Sequence, residues 1–375
     1  MGGGKLRRPP QHGPAGRVLR GGDEAMIYYD TTKMGTAKHR SGLMRLSSRI
    51  REELGSVVTE VAWDGRRRGF VSGKPAAPVT PKPDDWLLTV EQFCEADRPG
   101  FRAFVANPPC RLAAMFHDAI PVRWPHISWP QSVQRHPEYM KLLASFDRTW
   151  AISDATRRDF TEFWRWQGVT PRSQPQVITL GADFDGSNRV VRDPIIPRGR
   201  PALLCVGIVE PRKNQTFLLE VAGALWRDGL DFELHVVGRV NPHHGRPIEV
   251  RMEKLQKREP RFHFLAAAGD QRLARLYAAA RAVVFPTIAE GNGLPILEAL
   301  WRGVPCVCSD LPVLHENADA GGCLMTGVND LADWSAKLRS VLTDEAECRR
   351  LQREAMCRPL PRWSQTARTL MDGLR

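Results

Sequence analysis

Apolar positions along the chain recur in two alternating patterns. Short continuous runs at 26–29, 86–90, 113–116, 202–206, 232–237, 262–265, 282–285 and 304–308 read as strands. Between them, Leu43, Leu46, Ile50 and Leu54 return at helical spacing, as do the apolar positions of 214–226, 271–280 and 331–342. Strands alternating with helices predict parallel sheets covered on both faces, the α/β class. Residues 65–83, rich in Gly, Pro and Arg, predict an exposed loop. No repeat of 20 to 50 residues appears, which argues against a solenoid.

A chain of 375 residues has room for two domains. The stretch 189–201, with Pro194, Pro197 and Pro201 amid charge, is the expected linker between a domain at 26–188 and another at 202–358, followed by a final helix in 359–375. Two doubly wound domains joined in this way hold a ligand between the facing carboxyl ends of their strands. Residues 1–25 combine Gly2-Gly3-Gly4, Pro9-Pro10 and five basic residues without an apolar core. They predict a disordered leader rather than a signal peptide, and Met26 is an alternative start.

The longest apolar runs fall well short of the roughly 18 residues of a membrane span. The net charge of +12 is compatible with nucleic acid, an anionic surface or a phosphorylated substrate. It is spread evenly, with 27 basic against 20 acidic residues in 1–185 and 27 against 22 in 186–375. No zinc-finger, RNP or helix-turn-helix signature accompanies it, so nucleic acid is not an expected partner. The eight cysteines form no C-x-x-C pair and read as reduced, buried thiols of a cytoplasmic protein. His243-His244 reads as loop, and no metal site is expected.

The most informative segment runs from Phe285 to Leu300. A strand ends at Phe285, a loop carrying Glu290, Gly291, Asn292 and Gly293 follows, and Leu294-Pro295 open a helix, where a first-turn proline is tolerated. The amides of such a helix start favour a diphosphate, and glycine lets the backbone approach it. Glu290 and Glu298 supply acceptor-only carboxylates, whose natural partners are sugar hydroxyls.

Glu290-Gly291-x-Gly293-Leu294-Pro295-x-x-Glu298-Ala299, followed by Gly303-Val304-Pro305, resembles the E-x7-E signature of glycosyltransferase family 4. The resemblance continues in Val206-Gly207-Ile208-Val209-Glu210-Pro211-Arg212-Lys213-Asn214, His117-Asp118-Ala119-Ile120-Pro121, Ser153-Asp154-Ala155-Thr156-Arg157, Leu180-Gly181-Ala182-Asp183 and Trp363-Ser364. It implies a retaining enzyme of GT-B fold: two Rossmann-like domains facing across a cleft, with a C-terminal helix crossing back to the first. It further implies that Glu290 meets the donor hexose, Glu298 the ribose, and Lys213, with Arg212 as a second cation, the diphosphate. By the same resemblance His117 approaches the donor sugar from the acceptor side, and Gly35 and Gly42 belong to a loop over the phosphates.

Asp118 could orient His117, receive an acceptor proton or cap a turn. Two departures stand out: Gly207 occupies a position where many relatives carry arginine, and Asn292 replaces an aromatic residue, which bears on sugar selection. Asp183-Phe184-Asp185 mimics a metal-holding D-x-D triplet, but its place in the Leu-Gly-x-Asp loop argues for a structural role, so no metal cofactor is expected. Trp164 and Trp166, with Phe160, Phe163, Arg157, Arg158 and Arg165, could rest on a membrane surface, although aromatics at helical spacing are more often core.

The expected activity is transfer of a hexose from a nucleotide diphosphate sugar to a carbohydrate or lipid-linked oligosaccharide acceptor. The Pro-Arg-Lys-Asn and His-Asp-x-Ile-Pro segments resemble those of bacterial polysaccharide mannosyltransferases, which makes GDP-mannose the expected donor. The alternatives are a UDP-, dTDP- or GDP-fucose donor, or a binding protein without catalysis.

Overall fold

The computed structural model describes residues 25–35, 42–184, 186, 188, 189, 191 and 199–375. The expected leader up to residue 24, most of the expected linker and Asp185 lie outside the described residues.

Eight strands form the first sheet: β1 (Ile27–Asp30), β2 (Val58–Asp64), β3 (Gly69–Ser72), β4 (Ala77–Pro78), β5 (Trp86–Thr89), β6 (Arg111–Phe116), β7 (Arg148–Ala151) and β8 (Gln176–Val177). Their order is β4-β3-β2-β1-β5-β6-β7-β8, parallel from β2 to β8. The second sheet holds β9 (Ala202–Val206), β10 (Glu233–Val237), β11 (Phe262–Leu265), β12 (Ala282–Phe285), β13 (Cys306–Ser309) and β14 (Cys323–Thr326). Its order is β11-β10-β9-β12-β13-β14, parallel throughout. This is the GT-B architecture anticipated above: β1, β5, β6 and β9 to β13 begin and end within two residues of the expected runs, whereas β2, β7, β8 and β14 were not anticipated.

Parallel strands covered on both faces must be apolar almost continuously, and β12 is buried at every position. On one face Leu203, Val236, Val284 and Val307 pack against Leu218 and Leu225 of the helix Gln215–Arg227 and Trp334 of the helix Leu331–Thr343. On the other, Leu204, Val283 and Cys306 meet Leu300 of the helix Leu294–Trp301 and Leu314 of the helix Pro312–Ala318. In each sheet the strand order reverses once, between β1 and β5 and between β9 and β12. A crevice opens at such a reversal because the flanking loops leave in opposite directions.

Three expectations are corrected. Residues 65–83 are not all loop: β3 and β4 extend the first sheet antiparallel to β2. Phe70 is buried edge-on against Trp63 at 5.2 Å, which fixes the register, and Pro78 is tolerated because β4 is an edge strand. Five cysteines are buried, but Cys94 and Cys323 are half-buried and Cys357 is exposed where the helix Glu345–Cys357 ends. The aromatic stretch divides: Phe160, Phe163 and Trp164 are core, whereas Trp166 is 74% exposed.

The final helix, Trp363–Gly373, joins the core of the first sheet through Trp363, Ala367 and Leu370. Asp183 Oδ1 accepts from Trp363 N at 2.7 Å, so the described half of the D-x-D triplet anchors this helix. Among the described residues no helix is long and apolar enough to cross a membrane.

Candidate active site

The reversal of the second sheet brings charged side chains together. After β9 a single tight turn, Pro211–Lys213, precedes Asn214, whose left-handed φ of 57° turns the chain into the helix Gln215–Arg227. After β12 the loop 286–293 runs beside that turn, and Ile288 N donates to Arg212 O at 2.9 Å. The stitching brings Lys213 and Arg212 onto Glu290.

Glu290 Oε1 lies 2.6 Å from Lys213 Nζ, 2.9 Å from Arg212 Nη1 and 2.7 Å from Thr287 Oγ1. Burial would raise this carboxyl, but the charges of Arg212 and Lys213 and the hydrogen bonds from Lys213 and Thr287 outweigh it and hold its pKa below the usual range. Burial pushes the Lys213 ammonium down despite Glu290. Arg212 is raised, because Glu290 and Glu210 outweigh its own burial. Arg212 Nη2 also meets Glu210 Oε1 at 2.8 Å, so two cations face two carboxylates. The Lys213 ammonium sits 4.7 Å over the Phe285 ring, and its stem runs beside Gly207, where a Cβ would lie 3.6 Å from Cε.

Glu298 projects from the helix Leu294–Trp301 and is buried. Its Oε1 lies 3.2 Å from Arg45 Nη1 of the first domain, and its Oε2 accepts from the Tyr277 hydroxyl at 3.4 Å. Gly293 caps this helix at φ 89°, with Leu294 and Pro295 in its first turn. A Cβ on Gly293 would meet Leu314 Cδ2 at 2.6 Å.

From the first sheet, His117 follows β6 and is buried. Its Nε2 donates to the Val90 carbonyl at 2.6 Å. Burial pushes its pKa down, although Val90 and Asp118 oppose that, so the ring is neutral with Nδ1 unprotonated. Asp118 Oδ1 accepts from Ile120 N at 3.0 Å and so caps the turn that follows β6. Gly291 crosses the His117 carbonyl so closely that a Cβ there would lie 2.2 Å from the oxygen.

The Gly291 carbonyl accepts from Ser153 Oγ at 2.7 Å and Thr156 Oγ1 at 2.9 Å, across the two halves. Asn292 Nδ2 donates to Ile152 O at 2.6 Å, and Asn317 Nδ2 to Asn292 O at 2.6 Å. The Asn292 side chain is thus engaged in joining the halves. Glu316 accepts from Asp154 N and Ala155 N, both at 2.9 Å.

At the reversal of the first sheet, Glu91 accepts from Lys33 N at 2.6 Å and Met34 N at 2.7 Å, and so fixes the loop that follows β1. Fully buried Arg98 pairs with Glu91 at 3.2 Å and Asp30 at 2.5 Å. Gly35 donates to Thr31 O at 2.9 Å and Gly42 opens the helix Gly42–Leu54, while residues 36–41 between them lie outside the described residues. The structure therefore gathers His117, Arg212, Lys213, Glu290, Gly291, Asn292 and Gly293 into one cluster, with Glu298 and Leu294 on its helix. Sequence reasoning missed Glu91, Arg98, Thr287, Tyr277, Arg45 and Asn317. Of these only Glu91, just past the carboxyl end of β5, carried a positional signal.

Residues 188–356 match the family model described as Glycosyl transferases group 1. The chain is 30% identical over 226 residues to the Serotype-specific mannosyltransferase WbdA of Escherichia coli, covering 56% of this chain and 27% of that protein. It is 34% identical over 145 residues to the O-antigen chain mannosyltransferase B of Escherichia coli, covering 38% of this chain and 37% of the other. The chain thus spans little more than a third, at most, of either relative. Among solved structures, Anabaena HepE in complex with UDP and glucose superposes with a TM-score of 0.70 at 14% identity, over 94% of this chain and 99% of that one. The fold is GT-B, and its second half carries a glycosyl transferases group 1 domain homologous to bacterial mannosyltransferases at about 30% identity.

Proposed function

We propose that the chain is a retaining glycosyltransferase of family 4 that moves mannose from GDP-mannose to a carbohydrate acceptor in bacterial polysaccharide assembly. The observation that carries this reading is the convergence of Lys213, Arg212 and Glu290 at the β9/β12 reversal, opposite His117.

Rupture of a sugar–phosphate bond leaves negative charge on the departing diphosphate. Lys213, Arg212 and the amides at the start of the helix Leu294–Trp301 are fixed where they can stabilise that charge as it grows. When a diphosphate takes the two cations, the Glu290 carboxylate is released toward sugar hydroxyls. Glu298, held by Arg45 and Tyr277, is a ready acceptor for ribose hydroxyls. A neutral His117 offers Nδ1 as an acceptor on the opposite side. In a retaining reaction of this type the acceptor hydroxyl attacks the face from which the nucleotide leaves, and a phosphate oxygen of the leaving group takes its proton. This chemistry uses side chains and amides alone, and we propose that it needs no metal.

For the acceptor we propose a lipid-linked oligosaccharide met at the inner face of the cytoplasmic membrane. Exposed Trp166, flanked by exposed Arg158 and Arg165, supports a peripheral contact there.

The test is turnover of GDP-mannose, GDP-fucose, UDP-glucose, UDP-N-acetylglucosamine and dTDP-rhamnose in the presence of a chelator, with Glu290→Ala in parallel. Selective, Glu290-dependent release of GDP from GDP-mannose is expected. Selectivity for another donor would discard the sugar, and turnover unchanged in Glu290→Ala would discard the site.

A further inference from the structure

On the second sheet, away from the cleft, Glu233 and His235 stand two residues apart on β10 and so project from one face. The parallel register sets His235 directly beside His263 of β11. The imidazoles stack at 4.5 Å with 26° between their planes. Glu233 Oε2 lies 2.9 Å from His235 Nε2 and 3.7 Å from His263 Nε2, and ligand-capable atoms of the three residues all fall within 4.8 Å of one another. A tetrahedral metal about 2.0–2.1 Å from each ligand separates ligand pairs by about 3.3 Å, close to these spacings.

We propose that Glu233, His235 and His263 form a site for a divalent transition metal of the zinc class. Two imidazoles and one carboxylate suit such an ion better than Mg²⁺ or Ca²⁺, which favour oxygen, and three protein ligands leave a fourth position for water. Ligation through His235 Nε2 puts that ring's proton on Nδ1, which is buried without a hydrogen-bond partner. Lacking that supporting bond, and with Arg200 3.8 Å from Glu233 Oε1, the site binds about 10–100-fold more weakly than one with a hydrogen-bonded histidine. The metal ties edge strand β11 to β10. It takes no part in the transfer reaction, and the inference is independent of the proposed donor.

The test titrates the purified, metal-stripped protein with ZnCl2 by calorimetry and with CoCl2 by visible absorption, alongside His263→Ala and Glu233→Gln. Both side chains are partly exposed, so both variants should fold, which unchanged circular dichroism would verify. Expected are one equivalent of Zn²⁺, tetrahedral Co²⁺ bands, a rise of a few degrees in wild-type Tm with Zn²⁺ but not with Mg²⁺, and at least about tenfold weaker binding in each variant. Absence of Zn²⁺ binding in the wild type, or wild-type affinity in both variants, would overturn the assignment.

Discussion

Lys213 Nζ and Glu290 Oε1 meet at 2.6 Å inside a cluster where Arg212 lies 2.9 Å from the same oxygen. A carboxylate holding both cations keeps these buried charges paired; under the proposed function it yields them to a more highly charged diphosphate.

Removing either partner leaves an uncompensated buried charge. Glu290→Gln keeps the shape, so it should remain folded while losing roughly 100-fold or more in donor turnover. Glu290→Ala should lose at least as much and lower stability by about 3–5 kcal/mol. Steady-state kinetics with urea denaturation checks both; full activity in Glu290→Gln would contradict the role assigned to the carboxylate.

Gly291 packs tightly between the halves. Its Cβ position falls 2.2 Å from the His117 carbonyl, so Gly291→Ala must move His117 or part the two domains. The expected result is a large drop in kcat with the fold retained, and loss of the Ser153 and Thr156 hydrogen bonds to the Gly291 carbonyl. Small-angle scattering and kinetics on the variant would check it, and wild-type values in both would contradict the contact.

His117 and His136 contribute to the acid limb of stability. Burial pushes both below the ordinary 6.5, against the pull of Asp118. Their folded pKa values are depressed, so below about 6.5 the unfolded chain binds more protons than the folded one. Stability should therefore fall as pH drops from about 6.5 toward the folded values, by up to about 1.4 kcal/mol per pH unit for each histidine. Glu290, also depressed, adds a loss only as pH falls below its unfolded value near 4.5. Urea midpoints at several pH values between 7 and 5 measure the slope, and His136→Gln should reduce it.

Eight strands were readable because they are apolar almost without interruption, and the 290–298 segment because its glycines and carboxylates follow one of them directly; β2, β7, β8 and β14 are short, interrupted by polar residues or half-exposed, and left no such run. The first domain was harder. Its β3–β4 hairpin sits at an edge where glycine and proline are tolerated, which disguises it as loop. Glu91 and Arg98 act through burial, which no local pattern reveals. Tyr277 and Arg45 reach Glu298 from 21 and 253 residues away in sequence, and the His235–His263 pair exists only through cross-strand register.

The C-terminal helix offers a test of the first sheet's core. Trp363 is fully buried and receives Asp183 at its amide. Trp363→Ala should cost about 3–5 kcal/mol, read as a lowered urea midpoint. A midpoint unchanged from wild type would show that this helix does not contribute to the core.

The most direct measurement is a calorimetric titration of GDP and of GDP-mannose into wild type and Lys213→Ala, without divalent metal. Binding of both in the wild type, weakened at least about tenfold in Lys213→Ala, is the expected result. Equal affinity in the two proteins, or no binding of any sugar nucleotide to the wild type, would contradict a diphosphate site at the β9/β12 reversal.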